Sequence, residues 1–402
     1  VSDADILRPA DTSLAGRLQH AFFAHYPPLF AALRAAWPIP HAGKFFLVTR
    51  YDDVREVFLN DPAFMVPYAA NLDLIMGHEA FFLGMADTPE YRQDTAALRA
   101  VVLDTDLPDL AAATAAEADR LLDAAPGRIE TVDYTRTITF AVLCRYFGIS
   151  LPSTGDLRVW ATRLFEFQFT YTGPIGPTAT DPLYQDAARM APLLRAHVDS
   201  LIAAQRSAPD PTTILGRCLL RQQAGEPAYT DAKIRSALIG CLVGGLPQPP
   251  MVLPQALNQL LLRPDALAAA TAADTPTIAR HLFEALRFDP LAPLLQRTCT
   301  APATIAAGTP RATHVPAGAT VGVSFASAMQ DPRRIANPAT YDPNRPDCAY
   351  MNFGYSLHRC FGEHINRAIL PVMLARLLHR SITRASPLTK RGIFAESLWV
   401  TF

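Results

Sequence analysis

The chain has 402 residues, 50% of them hydrophobic and only 18% charged, which is too apolar for a mainly disordered polypeptide and ample for a large core. Its 36 basic and 37 acidic residues leave a formal net charge of −1 with no long basic run, which argues against nucleic acid as a partner. No uninterrupted apolar stretch reaches the ~18–20 residues of a membrane span, and the N-terminal VSDADILRPADTS lacks the basic-then-apolar order of a secretion signal. A cytoplasmic protein without a membrane anchor is the expectation.

Alanine- and leucine-rich segments with helical spacing dominate. The periodicity predicts helices over 12–36, 109–125, 132–147, 155–170, 181–205, 231–243, 254–262, 264–273 and 277–287. Thr275-Pro276 is a natural start for the last, because proline is tolerated in a first helical turn. Strand signals are fewer: 44–49, 296–301, and 319–324 after the turn Pro316-Ala317-Gly318. The fold class is therefore mainly α with small β-sheets. Neither an internal repeat nor a low-complexity linker divides the chain, so a single domain over 1–402 is expected.

Proline placement adds two expectations. The segment 172–182 (TGPIGPTATDP) reads as a flexible loop over a site, and 338–346 (PATYDPNRP) as an irregular packed coil. The six cysteines, Cys144, Cys218, Cys241, Cys299, Cys348 and Cys360, form no CxxC pair, which excludes a disulfide scaffold or a structural zinc site and makes most of them small apolar residues.

Cys360 differs from the rest. It lies in MNFGYSLHRCFGEHINRAIL, residues 351–370, where glycine and aromatic residues precede it, Gly362 follows, and a helical pattern runs on. A loop feeding a helix N-terminus surrounds sulfur with N–H groups and the positive helix end, which favours thiolate. A buried cysteine at a helix start is the plainer alternative on this stretch alone.

The chain resembles the cytochrome P450 family from about Pro89 onward. The haem-binding signature F-G-x-G-x-H-x-C-x-G maps onto Phe353, Gly354, Ser356, His358, Cys360 and Gly362. The E-x-x-R pair appears as Glu284 and Arg287, and Arg345 matches the arginine that completes this structural network in the family. The resemblance implies a P450 fold and haem b (iron protoporphyrin IX), with the Cys360 thiolate as metal ligand and His358 and Arg297 toward a propionate. The passage DTPEYRQDTAALRAVV is similar to the family's propionate-binding helix, with Tyr91 where histidine is common and an extra turn before Arg99. Arg92 and Arg99 are both candidates there.

The family's distal helix carries A/G-G-x-D/E-T. Here Gly244 and Gly245 match and leave room for a ligand, but Pro247 stands at the acid position and Gln248 at the alcohol position. In the family the acid and alcohol relay the protons that let an O–O bond split heterolytically. Proline has no proton to give, and an amide donates a hydrogen bond but is a poor acid. The residues leave three readings open. One is a monooxygenase that obtains protons by another route. Another is a peroxygenase or hydroperoxide isomerase with Gln248 as the distal amide. The third is a non-catalytic haem sensor or carrier. Ser356, where the family has glycine, is a second departure.

The family's pocket elements map to Leu74, Ile75, Phe81, Phe82, Pro293, Leu294 and Phe394, with few charges, which implies a hydrophobic small-molecule substrate. A monooxygenase would need a ferredoxin- or flavodoxin-type electron donor, since no reductase domain is evident in the sequence; Arg359, Arg367 and Arg376 are candidates for its docking surface.

Overall fold

Hydroxyl and carboxylate side chains close the N-termini of many helices, as the sequence leads one to expect. In the computed structural model, which describes residues 6–9, 11–170 and 179–402, Thr88 Oγ1 accepts from Tyr91 N, Thr230 Oγ1 from Lys233 N and Asp274 Oδ1 from Thr277 N. The longer helices are α1 Leu14–Ala36, α2 Tyr51–Leu59, α3 Ala69–Met76, α4 Pro89–Arg99, α5 Leu107–Ala124, α6 Thr131–Phe147 and α7 Leu157–Thr170. They continue as α8 Pro182–Gln205, α9 Ile214–Gln223, α10 Asp231–Gly245, α11 Pro249–Leu261, α12 Pro264–Thr271, α13 Thr275–Phe288 and α14 Glu363–Leu378.

The chain divides into two compact units. The first comprises Val1–Pro9, Val66–Glu117 and Arg136–Pro249. Within it α7 packs against α3, α8 and α10, and α8 also packs against α3, α9 and α10. Leu164, Leu194, Val198, Leu238 and Leu242 are fully buried in its interior. Arg195 Nη1 donates to the carbonyls of Leu74 and Ile75 at 2.9 Å each, which satisfies two of the orphan acceptors at the C-terminus of α3.

The second unit comprises Ala10–Met65, Ala118–Thr135 and Pro250–Phe402, and it holds the sheets. The largest has five strands, β1 His41–Ala42, β2 Phe45–Val48, β3 Phe64–Met65, β4 Leu295–Cys299 and β5 Thr320–Val323, in the order β1-β2-β5-β4-β3. β2 runs parallel to β5, with Phe46 opposite Val321 and Val48 opposite Val323; the other pairings are antiparallel. Phe46, Val48, Val54, Phe58, Phe64, Val321, Val323 and Met351 form one buried cluster around this sheet.

Three sequence expectations change. The helix expected over 254–262 begins five residues earlier, because Pro249 and Pro250 occupy a first turn whose N–H groups lack intrahelical partners anyway. Short α2, α3 and α9 carried too few periodic residues to stand out. α10 and α11 are separated only by a bend at 246–248, and the run Asp231–Leu261 is by length and composition apolar enough to cross a membrane, although 67% of its most apolar window is buried in the protein. The segment 338–346 is irregular, as proline dictated; of 172–182, residues 172–178 lie outside the described residues.

Candidate functional site

The loop before α14 is built on two left-handed residues. Gly354 has φ +76°, at no cost to glycine, and Ser356 has φ +61°, which a side chain disfavours. Gly354 N donates to Met351 O at 3.0 Å, Arg359 N to Ser356 O at 3.0 Å and Cys360 N to Phe353 O at 2.8 Å. Glu363 N reaches Cys360 O at 3.3 Å, so the cysteine sits at the entry to α14, with Gly362 as the N-cap. Phe353 packs 5.6 Å from Phe283 of α13, and the Arg367 guanidinium lies over both rings, 5.3 and 4.6 Å from their centroids.

Arg297 on β4 is 2% exposed, with its guanidinium 5.0 Å from the Phe58 ring centroid and Nη1 donating to Gln296 O at 2.9 Å. The His358 side chain is only 2% exposed, and Nε2 lies 3.8 Å from Asp61 Oδ1. Burial, with the charge of Arg297 adding to it, pushes the imidazole down to about 4, so it stays neutral near pH 7. A buried guanidinium beside a neutral donor imidazole is a donor set for a carboxylate. Together with a cysteine at a helix entry, it fits an iron porphyrin with propionate arms.

Beneath this loop Glu284 gathers its donors. Oε1 accepts from Arg287 Nη2 at 2.8 Å, Asp342 N at 2.9 Å and Arg345 Nε at 3.3 Å; Oε2 accepts from Arg287 Nε at 2.9 Å and Tyr350 OH at 3.2 Å. Arg345 also donates to the carbonyls of Ala336, Asn337 and Thr340 at 2.6, 2.8 and 2.7 Å. The proline-rich coil is thus fastened to α13 through one carboxylate. Tyr350 and the Asp342 amide carried no sequence signal, since nothing local marks a partner about 60 residues away.

A family model described as Cytochrome P450 matches residues 253–391, the stretch that contains this network, loop and buried arginine. The chain belongs to the cytochrome P450 family. It is 27% identical over 387 residues to cytochrome P450 CYP199A2 of Rhodopseudomonas palustris, covering 92% of this chain and 88% of that one. It is 24% identical over 383 residues to the cytochrome P450 monooxygenase PikC of Streptomyces venezuelae, covering 91% and 86%. Among solved structures, ligand-free CYP164A2 of Mycobacterium smegmatis superposes with a TM-score of 0.81 at 20% identity, covering 96% of this chain and 98% of that one. This P450 is a haem-thiolate oxidoreductase, a monooxygenase-like enzyme.

The first unit supplies the other expected residues of the P450. A Cβ on Gly244 would meet nothing within 4 Å, and one on Gly245 would only touch the Phe147 ring at 3.8 Å, so this stretch of α10 does leave open space. The backbone ladder ends where Leu246 N bonds Leu242 O at 3.2 Å, and Pro247 and Gln248 form the bend. Gln248 Oε1 is buried and has no hydrogen-bond partner among the described residues. The Phe81 and Phe82 rings meet at a tilt, 4.3 Å between centroids, and line a small cavity with Leu98 of α4 and Ser236 of α10. Ile75 is fully buried and Leu74 partly so.

Other expectations meet different partners. Arg92 is exposed and holds Asp87 through Nε and Nη2 at 2.7 and 2.8 Å, and Arg99 is also exposed, so neither of the two propionate candidates is singled out. Leu294 packs against the Tyr26, Phe30 and Leu47 cluster of the second unit, and the Pro293 carbonyl accepts from Ser324 Oγ at 3.1 Å. Phe394 is 6% exposed in the strand Phe394–Ser397. Glu363 takes both Arg359 and Arg367, and Arg376 lies 3.6 Å from Asp119, so all three arginines of the supposed docking surface have carboxylate partners.

Proposed function

We propose that the chain, as a single P450 domain, is a monooxygenase that oxidises an apolar or amphipathic small molecule such as a fatty acid, terpenoid or polyketide. The observation that carries this reading is the loop of the second unit, where Cys360 enters α14 and Arg297 stands buried beside neutral His358. Cys360 would hold the iron of haem b, and Arg297 and His358 would hold a propionate. When bound, the haem supplies redox chemistry, thiolate donation to iron favouring O–O cleavage. The open side of α10 at Gly244 leaves room for a substrate. Electrons would come from a ferredoxin- or flavodoxin-type protein.

One observation favours a second reading, in which the oxidant is a peroxide and no electron donor is needed. Gln248 presents a buried, unpartnered amide oxygen in the place where proline and glutamine replace the acid and alcohol. That oxygen can accept a hydrogen bond from a hydroperoxide O–H and orient it.

Two measurements test the proposal. The reduced carbon monoxide complex of the purified protein absorbs at ~450 nm if thiolate is the axial ligand. Turnover is then compared between hydrogen peroxide alone and reductant with surrogate redox proteins. Product that requires the redox proteins and oxygen supports the monooxygenase; product with peroxide alone, lost in Gln248→Ala, supports the second reading. Absence of product in both arms leaves a haem protein without turnover and overturns the proposal.

A further inference from the structure

Helix α7 buries Leu157, Ala161, Leu164 and Gln168, spaced i, i+4, i+7 and i+11, which is one face of a helix. The first three are apolar. Gln168 is 1% exposed, and neither its Oε1 nor its Nε2 has a hydrogen-bond partner among the described residues. At 100° per residue its direction is opposite to that of Arg163 and Glu166, the partly exposed side of α7. It therefore points into the interior of the first unit, where α7 meets α3, α8 and α10.

The surroundings hold this position still. Phe165 and Phe169 pack with their rings tilted, 4.8 Å between centroids, and Phe169 lies 5.2 Å from Tyr68 at the start of α3. Phe167 sits 6.0 Å from Tyr184 of α8, and its carbonyl accepts from Asn71 Nδ2 at 2.9 Å. Leucine here would complete the apolar face without penalty. Glutamine costs the fold free energy, because a buried amide loses water and gains nothing in return. That cost is explained if the partner arrives from outside.

We propose that Gln168 is the polar anchor of the substrate site, binding one neutral hydrogen-bonding group on an otherwise apolar molecule. This rests on the monooxygenase reading for the existence of a substrate, and it narrows the class. An amide offers an acceptor oxygen and a donor NH2 side by side. A group that both donates and accepts, an alcohol or a primary or secondary amide, satisfies both ends at once. A carboxylate would leave Oε1 facing another acceptor, and a hydrocarbon would leave both ends bare.

The test uses the haem-loaded protein and four probes with one chain length: dodecane, 1-dodecanol, dodecanamide and dodecanoate, with binding followed by equilibrium dialysis. The unaltered protein should prefer the alcohol and the amide. Gln168→Leu and Gln168→Met should weaken those two by roughly 10- to 100-fold and leave dodecane unchanged or tighter. Both variants should also raise Tm without ligand, since the unpartnered amide is gone. No preference among the four probes overturns the inference, as does an equal loss for all four. A lower Tm in both variants also overturns it, by showing that the fold itself, or a buried water, satisfies the amide. Haem content and the carbon monoxide spectrum are measured separately: their failure sinks the P450 reading, while dialysis still reports what Gln168 recognises.

Discussion

Arg287 Nη2 lies 2.8 Å from Glu284 Oε1, and both side chains are wholly excluded from solvent. An ion pair in that position is held by its geometry, since each charge has lost its water. Here the carboxylate also takes Arg345, Tyr350 and the Asp342 amide, so its lone pairs are filled. Arg287→Ala would leave Glu284 buried without its closest cation and with three of its five hydrogen bonds, a loss of about 3–5 kcal/mol. The expected outcome is little haem-loaded protein and a lowered urea midpoint. Glu284→Ala should behave alike, and the pair replaced together by methionines should recover part of the loss. Full haem content in Arg287→Ala would show that the coil carrying the cysteine loop does not depend on this network.

Two glycines of α10 separate packing from propensity. A Cβ on Gly240 would stand 2.2 Å from the Phe81 ring, whereas one on Gly244 meets nothing within 4 Å. Gly244→Ala should therefore gain about 0.5–1 kcal/mol from the better helix former. Gly240→Ala should cost about 1–3 kcal/mol, because Phe81 must leave α10. Thermal unfolding of the two variants, each against the parent, checks the opposite signs; a neutral Gly240→Ala would mean that Phe81 moves freely.

The contrast shows how far the sequence could be read. Long amphipathic helices and the sequence from Glu284 to Gly362 were legible because period and motif are local properties. Gly240 was not, because its constraint is a ring some 160 residues earlier in the chain. Arg92 had its partner close at hand, since Asp87 lies only five residues earlier and 2.7 Å away. Gln168 did leave a trace, a polar residue at the core spacing of Leu157, Ala161 and Leu164, which a strict count of helix-face positions would have caught.

Stability should fall in mild acid, and His281 supplies part of the reason. It is 5% exposed on α13, stacks on Tyr341 at 5.9 Å, and its backbone carbonyl accepts from Tyr341 OH at 2.7 Å. Burial, helped by the neighbouring Arg280 charge, lowers its pKa below the ordinary value of 6.5. The unfolded chain therefore takes up a proton first as pH falls, and the folded state loses stability from about pH 6.5 downward until the folded histidine titrates too. Urea unfolding at pH 7.5 and pH 5.5 should show a drop that is smaller in His281→Gln. An equal drop in both proteins would place the acid sensitivity elsewhere.

Ser356 is the residue of the cysteine loop whose backbone conflicts with its side chain, at φ +61°. The left-handed conformation costs a non-glycine residue about 1–2 kcal/mol, while glycine loses about 0.5–1 kcal/mol more chain entropy on folding. The difference leaves a net gain of about 0.5–1 kcal/mol for Ser356→Gly. Ser356→Val should do the reverse, because a β-branched side chain tolerates this region worst. Since Arg359 N bonds Ser356 O at 3.0 Å, the strain sits one hydrogen bond away from the residue before Cys360. Transfer of haem to apomyoglobin reads the same ranking kinetically: slowest from Ser356→Gly, intermediate from the parent and fastest from Ser356→Val. Faster haem loss from the glycine variant would mean that the serine hydroxyl, and not the relief of its backbone, sets the grip of this loop.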